Sequence, residues 1–292
     1  VAHEHPLAYL IGIEGLALLR AYAGDHDATF TAARINEIRK LLDDPTLTPV
    51  DVDRIPTVDG YRLWSDTYDT QDNPALTHDG PLVNAVAGSV PPGTAVDAAC
   101  GTGRLSTILA SHGHHVIGVD NSPHMLRHTT HPGDVRLGTL EDMPVETATA
   151  DIVTCGLALS HLPTLDQAFA EFGRVLKDGG HLVISDIHPE SVRRSYLPTV
   201  RNNGHPARIT AHHHLIGDYL RAALKAHLTP LSLEEPRADL PTPTPAPTTS
   251  TGDWDTWPWS LAAMIPEATR AANHGEPIML LWHFRKTTQP PT

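Results

Sequence analysis

Two carboxylates and the small residues between them carry the most legible chemistry in this chain. Val96 leads into Asp97, and Ala98-Ala99-Cys100-Gly101-Thr102-Gly103 follows before Arg104. An apolar run ending in an acid, then a turn of small residues, then a helix from about Leu105, grips a nucleotide-shaped ligand at the carboxyl edge of a parallel sheet. Glycine lets the backbone approach a ligand where a Cβ would collide with it. A second acid, Asp120, closes the run His115-Val116-Ile117-Gly118-Val119. A carboxylate there accepts hydrogen bonds from ribose hydroxyls, which suits nicotinamide and adenosyl ligands alike. Asp97 separates them. A pyrophosphate beside the first turn is repelled by a carboxylate, whereas a sulfonium cation is attracted. The register Gly101-Thr102-Gly103-Arg104-Leu105-Ser106 also places a serine where a dinucleotide fingerprint has its third glycine.

Histidine supplies the candidates for proton transfer, because it titrates in the useful range. His161 in Leu159-Ser160-His161-Leu162-Pro163 and His188 in Ser185-Asp186-Ile187-His188-Pro189 each follow a strand and face the same sheet edge. Asp186 and the cluster His212-His213-His214 are further candidates. The remaining histidines, of 20 in all, are scattered without supporting carboxylates, so no metal site is expected. Cys100 and Cys155 form no C-x-x-C pair, which excludes a disulfide framework and fits a reducing cytoplasm. A formal net charge of −13 repels phosphate backbones, so a small molecule rather than nucleic acid is the expected partner.

Elements must position these residues. Helical spacing covers residues 6–23 and 28–42, separated by the turn Gly24-Asp25-His26-Asp27. Glu14 interrupts the apolar face of the first helix, which lacks a basic flank and is read as too short to span a bilayer, so no membrane is expected. Residues 45–60 read as a Pro- and Asp-rich linker, and 61–90 as loop plus a helix over 80–87. From residue 94 strands alternate with helices. The strands cover 95–96, 115–120, 134–138, 150–155 and 181–186, and the helices 105–111, 122–129 and 165–176. Such alternation implies a doubly wound parallel α/β sheet with helices on both faces. Beyond residue 190 the pattern gives a helix over 218–227, a strand over 231–233, a proline-rich loop over 236–258, a helix over 260–274 and a strand over 278–284. Trp254, Trp257 and Trp259 read as a pocket wall, a dimer contact or core packing.

In its order of motifs the chain resembles the class I S-adenosylmethionine-dependent methyltransferases, in their small-molecule branch. The family's D/E-x-G-x-G-x-G aligns with Asp97 to Gly103. Ala99 stands at the first glycine, a change accommodated by a turn with φ below zero. Asp120 matches the ribose-binding acid and Asn121 follows it. Gly138-Thr139-Leu140-Glu141-Asp142-Met143-Pro144 matches the third motif. Thr139 there replaces the acid that receives the adenine amino group, and the Leu140 N–H donates to the ring. Residues 151–157, with Cys155 and Gly156, match the strand whose end lies beside the cofactor. Tyr61 to Asp69 resembles the aromatic segment that folds over the cofactor, and the Tyr68 ring suits a sulfonium.

The resemblance implies a Rossmann-like, mostly parallel seven-stranded sheet with an N-terminal helical extension. It divides the chain into residues 1–57 as helical extension and linker, 58–190 as cofactor-binding core, and 191–292 as substrate-cover segments and last strands of the same sheet. It implies S-adenosyl-L-methionine as cofactor, held by Tyr68, Asp97, the turn from Ala99 to Gly103 with Cys100 and Gly101, Asp120, Asn121, Thr139, Leu140, Glu141, Cys155 and Gly156. The expected activity is in-line methyl transfer to carbon, nitrogen or oxygen of a small aromatic or apolar metabolite, in secondary metabolism. His188 or His161 would act as general base, and Tyr61, Trp64, Tyr219 and Trp257 would line the acceptor. The expected protein is a cytoplasmic monomer or homodimer. Two alternatives stay open: a protein of the same fold that binds the cofactor and catalyses another reaction, such as cyclisation, or only binds; and a nicotinamide oxidoreductase, disfavoured by Asp97 and Ser106.

Overall fold

The computed structural model describes residues 2–70, 74–130 and 133–288. Its strands, in chain order, are β1 (Ala2–Glu4), β2 (Val50–Ile55), β3 (Thr94–Ala98), β4 (His115–Asp120), β5 (Asp134–Leu137), β6 (Ala150–Gly156), β7 (Leu176–Ile187), β8 (Thr199–Asn202), β9 (His205–Ile209), β10 (Leu228–Glu234) and β11 (Met279–Lys286). The chain divides into two compact units. The larger holds Pro56–Arg194, Thr210–Pro236 and the stretch from Pro277, and the smaller holds the chain up to Ile55, Ser195–Ile209 and Arg237–Glu276. The block read as residues 191–292 is therefore shared between them.

The larger unit is built on a seven-stranded sheet of order β10-β11-β7-β6-β3-β4-β5. Strands β3 to β7 run parallel, while β11 and β10 add antiparallel at one edge. The chain winds outward from β3 through β4 to β5, then returns to the other side of β3 as β6. The switch point, where loops diverge and ligands bind, therefore lies between β3 and β6. The period-two rule separates the two faces. Val96, Ala98, Ile117, Val119, Val153, Cys155, Leu182 and Ile184 pack with the helices Asp166–Val175 and Ile216–Lys225. Their neighbours Ala95, Val116, Ile152 and Val183 pack on the other face with the helices Gly80–Ser89 and Arg104–Ser111. This is the doubly wound α/β architecture expected from the sequence.

The local differences have physical causes. Residues 178–180 do not separate a helix from a strand; they lie within β7, where the pairing with β6 shifts register between Ala150 and Ile152. The helix Thr57–Trp64, read as loop, has Gly60 at its middle and carries Tyr61 and Trp64. Glycine there weakens local propensity, so packing holds the helix.

The smaller unit carries a four-stranded sheet of order β1-β2-β9-β8. β2 lies in the stretch read as linker, because its alternation Val50-Asp51-Val52-Asp53 uses a residue type depleted from strands. β8 and β9 were not expected either. They are joined by Asn203-Gly204, with φ of 51° and 82°, the turn chemistry of a tight hairpin. The helices Pro6–Ala23 and Ala28–Leu42 match their expected bounds, whereas residues 260–274 split into Trp259–Ala262 and Pro266–Asn273. Pro266 has no N–H to donate, so it starts a helix instead of continuing one. Leu10, Ile13, Ala17, Leu41, Trp254, Trp257 and Ile265 form this unit's core.

Candidate active site

A cavity of about 310 Å³ opens at the carboxyl edge of the larger unit's sheet, at the low end of the ~300–1,000 Å³ usual for small-molecule sites. The loop after β3 forms its floor. Ala99, Gly101 and Gly103 all have positive φ, at 61°, 55° and 95°, and turn the chain sharply from β3 into the helix Arg104–Ser111. The expected negative φ at Ala99 is thus overturned: the alanine occupies the left-handed region that glycine adopts without strain, at a cost of about 1–2 kcal/mol.

Asp120, at the end of β4, fastens this loop. Its Oδ2 accepts the Gly101 N–H at 2.8 Å and its Oδ1 the Ser122 N–H at 2.8 Å. Burial pushes the carboxyl upward, opposed by these backbone donors. The Asn121 backbone N–H also serves this carboxylate, and Asp120 lines the cavity beside Asn121, Gly138, Thr139, Leu140 and Glu141. Gly156 and Leu157, the latter with φ of 56°, line it from the end of β6.

Asp97 lines a smaller adjoining cavity with Tyr68, Cys100, Thr102 and Arg104. It is 1% exposed, and its carboxylate accepts hydroxyl hydrogen bonds from Ser106 at 2.6 Å and Thr154 at 2.9 Å. Burial pushes its carboxyl upward and the two hydroxyls pull it back. The carboxylate read as an electrostatic partner for a ligand therefore also ties β3 to β6 and to the following helix. Sequence reasoning missed this triad. Strand parity was the available signal, since Asp97 shares the face of Ala95, against which that helix packs.

The opposite wall is aromatic. Tyr61 and Tyr68 line the cavity, their ring centroids 6.0 Å apart. Trp64 packs edge-on against Tyr61 at 5.6 Å without lining the cavity. The Tyr61 hydroxyl lies 3.2 Å from Nε2 of His161, whose Nδ1 lies 2.8 Å from the Thr210 carbonyl oxygen. Burial holds the His161 imidazole below its ordinary value and pushes the Tyr61 phenol well above its own.

The other candidates lie elsewhere. His188 is 4% exposed and caps the helix Pro189–Arg193. Its Nδ1 accepts the Glu190 N–H at 3.1 Å and its Nε2 lies 3.1 Å from Glu235. The following proline holds it extended, so Nδ1 serves the cap while Nε2 faces Glu235, and His188 does not line the cavity. Tyr219 is buried and donates its hydroxyl to Asp186 at 2.8 Å. Cys155 is fully buried in the sheet, and Gly103 acts as the N-cap position of its helix. Trp257 belongs to the smaller unit, where it is 5% exposed and donates from Nε1 to the Thr251 carbonyl. Of the cluster, His214 is engaged by the Leu162 carbonyl at 2.8 Å.

Comparison with known proteins gives this geometry a context. Residues 96–184 match the family model described as "Methyltransferase domain". The chain is 32% identical over 128 residues to the malonyl-[acyl-carrier protein] O-methyltransferase of Methylovorus sp. (strain MP688), covering 39% of this chain and 43% of that protein. It is 34% identical over 104 residues to the ubiquinone biosynthesis O-methyltransferase of Marinobacter nauticus, covering 32% of this chain and 44% of that protein. The chain thus spans less than half the length of these curated relatives. A solved chain from the complex between the Haloferax volcanii Trm112 methyltransferase activator and a methyltransferase matches with a TM-score of 0.57 at 20% identity. That match covers 80% of this chain and 99% of the other, and is a likeness of fold.

Proposed function

We propose, from the premise that the chain belongs to the class I S-adenosylmethionine-dependent methyltransferases, that it transfers a methyl group from S-adenosylmethionine to a small molecule. One observation carries the reading: a single cavity brings together Asp120 at the end of β4, the left-handed loop at Ala99 and Gly101, and the aromatic pair Tyr61 and Tyr68.

The residues fit the donor's chemistry. The remaining accepting capacity of Asp120 suits a ribose hydroxyl, and the Tyr61 and Tyr68 rings suit a cation. The bound donor supplies a methyl carbon on a sulfonium, an electrophile that needs no further activation. The chain's own work is to hold the acceptor in line and exclude water, and such positioning is worth roughly 7–11 kcal/mol in well-oriented systems.

The acceptor is a small molecule with an apolar or aromatic body, since Leu140, Leu157, Leu162 and the two tyrosines line the cavity. The net charge of −13 supports this over nucleic acid. Oxygen is the favoured accepting atom, because the two relatives above are named as O-methyltransferases. Both cysteines are free and buried, which supports a reducing, cytoplasmic setting.

Isothermal calorimetry tests the reading. S-adenosylmethionine and S-adenosylhomocysteine are expected to bind and NAD to give no heat, and S-adenosylhomocysteine is expected to accumulate together with a methylated acceptor. Absence of binding by the adenosyl ligands overturns the reading. Binding with conversion to another product moves the chain to a different chemistry on the same site.

A further inference from the structure

Resting on that reading, we infer that Tyr61 and His161 form a two-step proton relay, Tyr61 receiving the proton of a hydroxyl acceptor while its own proton passes to Nε2 of His161. The hydrogen-bond network fixes the direction. The Thr210 carbonyl can only accept, so Nδ1 of His161, 2.8 Å away, carries the ring proton. Nε2 is then the lone-pair nitrogen of a neutral ring, and the Tyr61 hydroxyl, 3.2 Å away, donates to it. With its proton engaged there, the Tyr61 oxygen has lone pairs left to accept. Both residues line the cavity, with ring planes at 90° and centroids 5.6 Å apart.

The groups around the pair support this assignment. Burial and the neighbouring His212 hold His161 neutral, while the buried Asp186 favours its protonated form once a proton arrives. Asp186 is itself held by the Tyr219 hydroxyl at 2.8 Å and the Ile187 N–H at 2.8 Å. Burial above all, with Tyr68, Asp120 and Asp186 adding to it, keeps Tyr61 protonated at rest. Tyr61 therefore serves as a conduit, not a standing phenolate.

In the transfer, the acceptor oxygen forms its bond to the methyl carbon as the carbon–sulfur bond breaks and sulfur keeps the electron pair. The acceptor's proton moves to the Tyr61 oxygen, the Tyr61 proton moves to His161, and the imidazolium later releases it to water. The substrate class this serves is a weakly acidic alcohol or phenol. A carboxylate or ionised phenol needs no such help.

Nuclear magnetic resonance of ¹⁵N-histidine-labelled protein with S-adenosylhomocysteine bound tests the wiring without any acceptor. The expected His161 spectrum is a neutral ring with the proton on Nδ1 at pH 7, and Tyr61→Phe shifts the Nε2 resonance. A ring protonated on Nε2, or charged at pH 7, overturns the relay. Turnover of catechol and of 4-nitrocatechol, ionised near neutrality, gives the kinetic arm. Tyr61→Phe and His161→Gln are expected to lose about 10²–10⁴-fold on catechol, the usual range for general-base loss, and under 10-fold on 4-nitrocatechol. Equal losses on both phenols, or none, overturn the proposal. Failure of the cofactor reading appears separately, as absent binding of S-adenosylmethionine to the unmodified chain.

Discussion

Ser106 donates its hydroxyl to the Asp97 carboxylate at 2.6 Å, so the residue at the third-glycine position of a dinucleotide fingerprint is a fastener. Both groups are buried, and Thr154 supplies the second hydroxyl at 2.9 Å. Ser106→Ala leaves one oxygen of a buried carboxylate without that donor, and hydrogen bonds to charged groups are worth roughly 1.5–3 kcal/mol. The urea midpoint is expected to fall accordingly. Ser106→Gly is expected to fall further, since glycine inside a helix costs about another 1 kcal/mol. An unchanged midpoint for both variants would refute the fastening role.

Ala99 carries its φ of 61° at the mouth of the cofactor loop. Glycine removes the left-handed penalty of about 1–2 kcal/mol but loses part of it to greater freedom in the unfolded chain. Ala99→Gly is therefore expected to be neutral to about 1 kcal/mol stabilising, and Ala99→Val clearly destabilising, because a β-branched residue tolerates that region worst. Equilibrium unfolding of the two variants orders them; a glycine variant less stable than the alanine parent overturns the strain argument.

The same loop shows how far the sequence could be read. Spacing located the turn between Asp97 and Arg104 because small residues have few other uses there, and Asp120 because an acid ending an apolar strand is conspicuous. Backbone sign at Ala99 was not legible, since alanine enters the left-handed region only at a cost, which tertiary contacts such as the Gly101–Asp120 bond can outweigh. His161 and His188 each lie in the loop after a strand, so both were candidates. Thr210, distant in sequence, and Tyr61 hold one at the cavity, whereas Pro189 turns the other into a cap. β8 and β9 were legible in principle through Asn203-Gly204, but their apolar pattern is too short to announce a strand. The parallel core, by contrast, rests on runs such as Ala150–Gly156, whose burial on both faces leaves little alternative.

Glu14 predicts a pH dependence in the smaller unit. It is fully buried on the helix Pro6–Ala23, 3.2 Å from Arg34, whose guanidinium also serves Glu37 at 3.4 Å and Glu267 at 2.9 Å. Burial is the largest cause that raises the Glu14 carboxyl from 4.5 to about 7, with Arg34 opposing and the two other glutamates adding to it. A folded value above the unfolded one means that the folded state binds the extra proton between the two. Stability is then fully present below about pH 4.5 and is lost as pH rises through about 7. Hydrogen exchange across Pro6–Ala23 is expected to quicken from pH 5 to 7.5, after correction for intrinsic rates. Glu14→Gln, neutral throughout, is expected to flatten that slope. A slope of the same size in both proteins would remove Glu14 as its source.

Arg104 and Asp79 form an ion pair in the larger unit. Asp79 is 1% exposed and precedes the helix Gly80–Ser89, while Arg104 opens the helix that follows the cofactor loop. The guanidinium contacts both carboxylate oxygens, at 2.5 and 2.8 Å, and the Ser185 hydroxyl donates to the same carboxylate at 2.6 Å. The pair thus joins the two helices to β7 next to the smaller cavity that Arg104 and Asp97 line. Arg104→Ala strands a buried carboxylate and is expected to cost about 3–5 kcal/mol. Arg104→Lys is expected to recover only part of this, because an ammonium cannot repeat the two-pronged contact. Replacing both partners by Arg104→Met and Asp79→Leu removes the charge together with its partner, so the double variant is expected to be more stable than Arg104→Ala. Asp79 holds Arg104 above its already high ordinary value, so Arg104 itself stays charged at pH 6 and at pH 8. A denaturation cycle of Arg104→Met, Asp79→Leu and the double variant measures the coupling; strict additivity of the single and double changes would show that the contact does not couple the helices.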